Sequence, residues 1–392
     1  MHTTGHVRQL LFLLLSMHRS RPHDALMIVA GFAIAAATLT VMLSIPAGID
    51  RITRQTGQSD IALAMAANAV DESSSSLSQA QVAQLSQLPQ VARDANGQPQ
   101  VALQFLATAR LPRTDGQAGT VQLRGIDRNT WALLDNAPIH ATGSLEPGQR
   151  QWLGSATLAA QYPVLNEAVA ELLGATWRRV GLLDAGGNLW ESEIWLEQSA
   201  LRAASNRPSG VSSAWIKLAG SDELGELIAA AQTDPRLEGV RIVGQVDYYQ
   251  QQMGFLTRLV TAAALGVSLL LGAGAALAIT TALDMVLDKR RRQLATLWAL
   301  GFSPTSIWLA ILTEVAIVGV LTSLMAAALV HTVLDGTPFG TSGASQAVYA
   351  TFLVDTRVVS AVLAYSVLLA LLGSVLPLHR TLSGGLAQGL KN

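Results

Sequence analysis

Hydrophobic residues are concentrated in four stretches of this chain, each long enough to cross a lipid bilayer, which takes about 20 apolar residues in a helix. Three of the stretches contain no charged residue and the other contains only Glu314; they are 25–45, 259–283, 307–334 and 358–378. With their flanks they predict membrane spans at 25–47, 254–283, 305–334 and 358–378. A signal peptide is the alternative for the first span, but its apolar part exceeds an h-region of about 7–15 residues. We therefore predict a retained anchor.

Basic residues are unevenly distributed between the segments that connect these spans. Residues 284–304 contain four consecutive basic residues, Lys289 to Arg292, whereas Arg357 is the only basic residue of 335–357. Short loops with an excess of Lys and Arg stay in the cytoplasm. The pattern therefore predicts that 284–304 is cytoplasmic and that 48–253 and 335–357 lie outside.

The two tails of the chain are predicted to be cytoplasmic by the same rule. Residues 1–24 carry several arginines and 379–392 carry Arg380 and Lys391. Part of the first tail is apolar before a basic stretch, which is typical of a helix lying in the membrane interface. The alternative is an ordinary extension of the first span.

The segment 48–253 is long enough for a domain of its own. Alternating strands and capped helices at both of its ends indicate paired βαβ units, and the middle, about 100–205, is richer in short strand-like runs and indicates a β-rich insertion. Residues 184–188 have the composition of a turn and precede an alternating run at 190–195, which predicts a hairpin. Ser73 to Ser76, a run of four serines after Asp71 and Glu72, is predicted to be a solvated loop. The predicted fold class is a membrane α-helical protein with four spans, one plus three, and a large α+β extracytoplasmic domain between the first and second.

Composition supports a membrane protein and excludes several kinds of site. Charged residues make up 14% of the chain, against about 25% in soluble proteins, and the net charge of −1 leaves no nucleic-acid footprint. Cysteine is absent, which excludes disulfides, Cys-ligated metals and thiol catalysis. The three lysines, Lys217, Lys289 and Lys391, do not follow a glycine, so the chain has no P-loop. We predict no catalytic residue, metal site or bound cofactor.

The predicted cytoplasmic segment 284–304 continues the second span as an amphipathic helix. One face carries Leu287, Leu294, Leu297 and Trp298, Gly301 can cap the C-terminus, and Pro304 prevents continuation. Such an apolar face is suited to a groove on a partner protein. The alternative is that Lys289 to Arg292 only anchors the helix to anionic lipid headgroups.

Polar and small residues inside the spans indicate helix contacts. We expect Glu314, within the third span, to pair with a polar group on a neighbouring helix rather than to bind substrate. Gly272 and Ala276 form a small-xxx-small pair in the second span. This pair is either a dimer face or a packing face against the first span.

Residues 289–303, KRRRQLATLWALGFS, resemble the cytoplasmic motif of FtsX-like permeases. Glu314 and the terminal run at 376–380, LPLHR, are similar to the same family, and 233–241 with 248–252 resemble the end of a MacB-like periplasmic core domain. The chain departs from the family at Gln293, where Glu is usual, and after Leu378, where Ala is common.

This resemblance implies the permease subunit of an ABC transporter: a permease dimer, homo- or heterodimeric, in the bacterial inner membrane with two cytoplasmic ATPase subunits that bind ATP and Mg²⁺. It implies mechanotransmission, in which ATP hydrolysis moves the periplasmic domain for export, with a periplasmic adaptor as a further partner. The alternatives are activation of a periplasmic cell-wall enzyme and a receptor or scaffold. The residues that it assigns to ATPase coupling are Lys289, Arg290, Arg291, Arg292, Leu294, Leu297, Trp298 and Gly301.

Overall fold

The computed structural model describes residues 22–135, 137–207, 210–220, 222–342 and 347–383. The chain divides into a membrane unit, made of residues up to 47, 258–337 and 352 onwards, and an extracytoplasmic unit, made of 48–257 and 338–351. Most of the predicted interfacial helix at 1–24 and most of the tail at 379–392 lie outside the described residues.

The described residues form nine α-helices and twelve strands. The helices are α1 Pro22–Arg54, α2 Gln79–Leu85, α3 Arg128–Leu133, α4 Ala156–Gln161, α5 Gln198–Ala204, α6 Leu224–Thr233, α7 Gln245–Ala299, α8 Pro304–Leu334 and α9 Thr356–Ser383. The strands are β1 Ile61–Ala66, β2 Val101–Pro112, β3 Ala118–Ile126, β4 His140–Ala141, β5 Gln151–Gly154, β6 Val169–Leu172, β7 Ala175–Asp184, β8 Glu193–Glu197, β9 Ser213–Lys217, β10 Val240–Gly244, β11 Pro338–Ser342 and β12 Ala347–Thr351.

Four of these helices, α1, α7, α8 and α9, are long and apolar enough to cross a membrane. The predicted order of one span, a domain and three further spans is therefore confirmed. Two of the helices are longer than the apolar pattern indicates. Helix α1 continues through Pro46 to Arg54, and α7 joins the predicted span 254–283 and most of the segment 284–304 in one helix of 55 residues. Hydropathy marks where a span leaves the lipid, but it does not mark where the backbone stops being helical.

The extracytoplasmic unit is built on one mixed sheet, in the order β10-β1-β9-β2-β3-β8-β5-β7-β4, with β6 paired to β7. Strands β1 and β2 are both antiparallel to β9, which lies between them, and β9 and β10 are both antiparallel to β1. Helix α2 lies in the connection from β1 to β2, and α6 connects β9 to β10. The two predicted βαβ units are therefore interleaved in one sheet, and their helices share a core.

The helix α2 shows how local sequence sets these elements. Ser78 accepts a hydrogen bond from the backbone N–H of Gln81, and the Gln81 side chain accepts one from the backbone N–H of Ser78. This reciprocal pair satisfies two backbone donors at the start of the helix. Val82 and Leu85 then face the core that α2 shares with α6.

Two local predictions in the extracytoplasmic unit are wrong. The run 190–195 does not form a hairpin with the preceding strand, because β5 lies between β7 and β8 in the sheet. Its first half is a 3₁₀ turn, Leu189–Ser192, and β8 pairs in parallel with β3. The run Ser73 to Ser76 is not solvated throughout, since Ser75 is buried, as is Glu72 just before the run. A composition rule describes a segment on average. It does not identify which residue is buried by contacts with distant parts of the chain.

The short loop between α8 and α9 also contains regular structure. Strands β11 and β12 form an antiparallel hairpin with five residue pairs, from Pro338–Thr351 to Ser342–Ala347. The hairpin belongs to the extracytoplasmic unit, whereas the residues on both sides of it belong to the membrane unit.

Candidate functional site

The predicted cytoplasmic end of α7 closes in a tight turn to α8. Gly301 has φ +91°, a left-handed conformation that favours glycine, and the N–H of Phe302 donates to the carbonyl of Leu297 at 3.2 Å. This hydrogen bond, together with the left-handed glycine, forms a Schellman cap. Ser303 then caps α8 by accepting from the N–H of Ser306 at 3.2 Å, with Pro304 in the first turn. The turn fixes the end of α7 directly beside the start of α8.

The apolar face of this end of α7 is covered by the chain itself. Leu287 and Leu294 are buried in the core of the membrane unit, together with Ile28 of α1 and Ile311 of α8. Leu297 is half-buried against the same core. The expectation that Leu294 faces a partner is therefore wrong. Periodicity indicates that a helix has an apolar face, but it does not indicate which surface covers that face.

The opposite side of the same segment is exposed. Lys289 and Gln293 lie on it, and Leu300 is 70% exposed just beyond the last helical residue. The side chains of Arg291, Arg292 and Trp298 lie outside the described residues, so their assignment to ATPase coupling stays a prediction.

Arg290 of this segment forms an ion pair with Glu314 of α8. The distance from Arg290 Nη1 to Glu314 Oε2 is 3.6 Å, and the exposed fractions of the two side chains are 17% and 6%. Glu314 therefore has the polar partner on a neighbouring helix that its position in a span requires. The pair lies beside an apolar cavity between α1, α7 and α8, whose lining includes Leu283, Leu294 and Val318.

The small residues of α7 pack against α9. A Cβ at Gly272 would collide with the hydroxyl of Tyr365, and that hydroxyl donates to the carbonyl of Ser268 at 2.6 Å. Farther along, Thr280 donates to the carbonyl of Gly373 at 3.0 Å. The Gly272–Ala276 face is therefore an intrachain contact with the fourth span, which neither of the two sequence alternatives named.

We expect Gly272→Ala to destabilise the membrane unit, because the added methyl group meets Tyr365. The matched control is Gly274→Ala, since no atom lies within 4 Å of a Cβ built there and Ala is favoured over Gly in a helix by about 1 kcal/mol. Thermal unfolding of the purified protein in detergent measures both variants. The Gly272→Ala variant should melt at a lower temperature than the Gly274→Ala variant. Adding Tyr365→Phe to Gly272→Ala should recover part of the loss, because it removes the hydroxyl that the added methyl group meets. Equal melting temperatures for the two alanine variants would contradict this contact.

A buried charge cluster lies in the sheet of the extracytoplasmic unit. Arg124 of β3 is fully buried; its Nη2 lies 3.0 Å from Glu72 Oε2 and its Nε lies 2.5 Å from Glu193 Oε2. Glu72 also accepts hydrogen bonds from Ser213 and from the indole of Trp215. The guanidinium lies 5.0 Å from the centre of the Trp215 ring. Buried charges in proteins are paired in this way because an unpaired one is costly.

The electrostatics of the cluster keep Arg124 charged. Burial alone would lower the pKa of Arg124, but the carboxylates of Glu193 and Glu72 raise it well above its ordinary value. Removing one member of a buried ion pair costs about 3–5 kcal/mol, because the other charge stays behind in a medium of low dielectric. The cluster therefore holds together three separate segments: strand β3, strand β8 and the loop that follows strand β1.

The first turns of α7 are attached to this cluster by two tyrosines. The hydroxyl of Tyr248 accepts a hydrogen bond from the backbone N–H of Glu72 at 3.0 Å, and the hydroxyl of Tyr249 accepts one from the indole of Trp190 at 3.0 Å. Both tyrosines are buried. In addition, the N–H of Gln58 donates to the side chain of Gln245 at 2.9 Å. The start of the longest helix is therefore fixed in the core of the extracytoplasmic unit.

Sequence reasoning missed the roles of Glu72, Arg124 and Glu193. The local sequence around Arg124 and around Glu193 does not indicate that these two residues meet. A charged residue between apolar strand positions was the available signal, since Arg124 interrupts the apolar end of β3. Among the described residues, no group of three or more His, Cys, Asp or Glu side chains is arranged to hold a metal ion.

Residues 265–385 match the protein family FtsX, described as FtsX-like permease C-terminal. Two crystal structures are similar to parts of the chain. The extracellular domain of the noncanonic ABC-type transporter YknZ from Gram-positive bacteria is 12% identical, with a TM-score of 0.34, over 47% of this chain and 100% of that one. The periplasmic region of MacB from Actinobacillus actinomycetemcomitans is 13% identical, with a TM-score of 0.35, over 53% of this chain and 97% of that one. No curated protein matches the chain.

The matched region begins within α7 and ends beyond the described part of α9, so it includes Gly272, Arg290, Gly301 and Glu314. The described chain has four helices that can span a membrane and a mixed α+β unit between the first two. Residues 265–385 therefore match an FtsX-like permease domain, in a multi-pass membrane protein with four spans and one extracytoplasmic domain.

Proposed function

We propose that this protein is the permease subunit of a mechanotransmitting ABC transporter in the bacterial inner membrane. Two copies of it, or this chain and a related one, pair with two cytoplasmic ATPase subunits that bind ATP and Mg²⁺. Hydrolysis moves the extracytoplasmic domain, which works with a periplasmic adaptor during export. The single observation that carries this proposal is helix α7, which runs from Gln245 to Ala299.

Helix α7 has the features that a mechanical connection needs. At its start, Tyr248 and Tyr249 are buried in the extracytoplasmic core. At its end, Leu294 is buried against α1 and α8. Between them the backbone is helical throughout, and each turn of a helix is held by its own hydrogen bonds. A displacement of one end therefore reaches the other end instead of being absorbed in a linker.

The exposed side of the α7–α8 turn is the surface that we assign to the ATPase. Leu300 is an exposed apolar residue beside a capped turn, and Lys289 and Gln293 lie on the same exposed side. A short apolar projection on a rigid turn fits a groove on a partner. Leu294 is buried against α1 and α8 and is not part of this exposed surface, so we assign it to holding the turn in place.

Leu300→Asp should abolish ATPase association and leave membrane insertion unchanged, because it places a charge in the proposed contact without disturbing a buried residue. The matched control is Leu182→Asp, since Leu182 is also an exposed leucine, at 42%, but belongs to the extracytoplasmic unit. Copurification of the tagged permease with its ATPase from membranes measures both variants. Wild-type recovery of the ATPase with Leu300→Asp would overturn the assignment of this surface.

A further inference from the structure

The hairpin β11–β12 has its central aromatic residue buried in the extracytoplasmic unit. Tyr349 is 4% exposed and belongs to the same hydrophobic cluster as Trp177 and Tyr162 of the insertion. Its ring meets the ring of Tyr162 edge to face at 6.2 Å, and the two hydroxyls are 3.1 Å apart. A loop that only connected two spans would keep such a residue at the surface or lack it.

A hydrogen bond to the turn before β8 also fixes the backbone of the hairpin. The N–H of Tyr349 donates to the hydroxyl of Ser192, in the 3₁₀ turn before β8, at 3.0 Å. The neighbouring Val348 lines a small polar cavity together with Ser192, Arg124 and Tyr248. The hairpin therefore reaches the charge cluster that holds the start of α7.

Two glycines permit close contacts of the hairpin, one in α1 and one within the hairpin itself. A Cβ at Gly48, in the outer end of α1, would lie 3.1 Å from the carbonyl carbon of Thr351. Within the hairpin, Gly340 is paired with Tyr349, and a Cβ at Gly340 would lie 2.6 Å from Cε1 of the Tyr349 ring. Both positions require a residue without a side chain, so the fit of the hairpin is specified by sequence.

We propose that the β11–β12 hairpin is a permanent joint that attaches the α8–α9 pair to the extracytoplasmic domain. The joint stays closed throughout the ATP cycle, and motion delivered through α7 turns the domain about it. That ATP hydrolysis moves the domain through α7 rests on the proposed function, whereas the attachment of the hairpin does not.

Disulfide cross-linking of the full-length protein tests the joint directly. The chain contains no cysteine, so Ser192→Cys with Val348→Cys introduces the only two thiols, at side chains that line one cavity. The control is Asn96→Cys with Val348→Cys, since Asn96 lies in an exposed turn of the same unit. Copper phenanthroline is applied to membranes in the resting state, and to the complex with its ATPase after trapping with ATP and vanadate.

We expect the 192–348 pair to cross-link nearly completely, at equal rates in both states, and the control pair to remain uncross-linked. Failure of the 192–348 pair in resting membranes would overturn the attachment. A rate that falls tenfold or more after trapping would overturn the permanence of the joint. If no ATPase associates, the proposed function fails, but the resting arm still decides the attachment.

Hydrogen exchange of the cysteine-free protein guards against a folding defect in the cysteine variants. The backbone amide of Tyr349 should be protected from exchange because it donates a hydrogen bond to Ser192. In the Tyr349→Ala variant, the amide of residue 349 should exchange at least ten times faster. The matched control is Pro338→Ala, at the exposed start of β11, which should leave the exchange unchanged. Exchange of the Tyr349 amide in the unsubstituted protein at the rate of an exposed peptide would contradict the proposal.

Discussion

Arg124→Met is expected to lower the free energy of unfolding of the extracytoplasmic unit by about 3–5 kcal/mol, the cost of breaking a buried ion pair. The substitution leaves the carboxylates of Glu72 and Glu193 buried without the guanidinium that both of them contact. It also removes the cation from the face of Trp215. Since domains of this size are stable by about 5–15 kcal/mol, the loss is a large fraction of the total.

Urea unfolding of the full-length protein in detergent, followed by tryptophan fluorescence, measures this loss, because Trp190, Trp195 and Trp215 pack together close to the cluster. Arg236→Met is the matched control: Arg236 also forms an ion pair, with Asp234 at 2.9 Å, but its side chain is 69% exposed. Exposed pairs contribute little to stability, so the control should unfold with the wild type. Replacing Arg124, Glu72 and Glu193 together with Met should recover part of the loss. Unfolding of Arg124→Met at the wild-type urea concentration would show that the cluster does not hold the sheet together.

The number and order of the membrane spans could be predicted because each span depends on a sum over many residues. A span needs about 20 apolar residues, and no single position among 259–283 or 358–378 decides the result. The βαβ ends of the extracytoplasmic domain were predictable for a similar reason, since Ser78 and its capping partner Gln81 lie three residues apart. The Schellman cap at Gly301 was also local. These features need only neighbouring residues.

The features that carry the proposed mechanism join residues far apart in the chain, which periodicity cannot pair. Arg124 meets Glu72 across 52 positions, and Tyr349 meets Tyr162 across 187. The sequence correctly predicted that α7 has an apolar face around Leu294. That face packs against Ile311 and Ile28 of the same chain rather than against a partner protein. A one-dimensional pattern identifies surfaces that need a contact. Only the folded chain identifies the contact.

Inserting Gly-Gly-Ser between Gln252 and Met253 is expected to uncouple the extracytoplasmic domain from ATP hydrolysis. The insertion lies one turn after Tyr248 and Tyr249, so both tyrosines keep their partners in the domain core. Glycine in a helix interior costs about 1 kcal/mol relative to Ala and lets the helix bend. Motion delivered at the far end of α7 is then absorbed at the insertion. ATP hydrolysis by the assembled complex should persist, because the α7–α8 turn is unchanged.

The matched control for this variant is the same insertion between Pro147 and Gly148. These residues lie in an exposed loop of the extracytoplasmic unit, and no atom lies within 4 Å of a Cβ built at Gly148. The control adds the same three residues to the same unit without interrupting α7. It should therefore behave like the wild type in both ATP hydrolysis and domain movement.

The most direct test of mechanical coupling is a distance measured by pulsed electron paramagnetic resonance between spin labels at Asn96→Cys and Thr332→Cys. The first label lies in the extracytoplasmic unit and the second on α8, and the absence of native cysteine makes the labelling specific. The distance distribution of the otherwise unaltered complex should differ between the ADP state and the state trapped with ATP and vanadate. The Gln252 insertion should abolish that difference, while its ATP hydrolysis continues and the Gly148 control retains the difference. Identical distributions in the two nucleotide states of the unaltered complex, with ATP hydrolysis intact, would contradict transmission of force through α7.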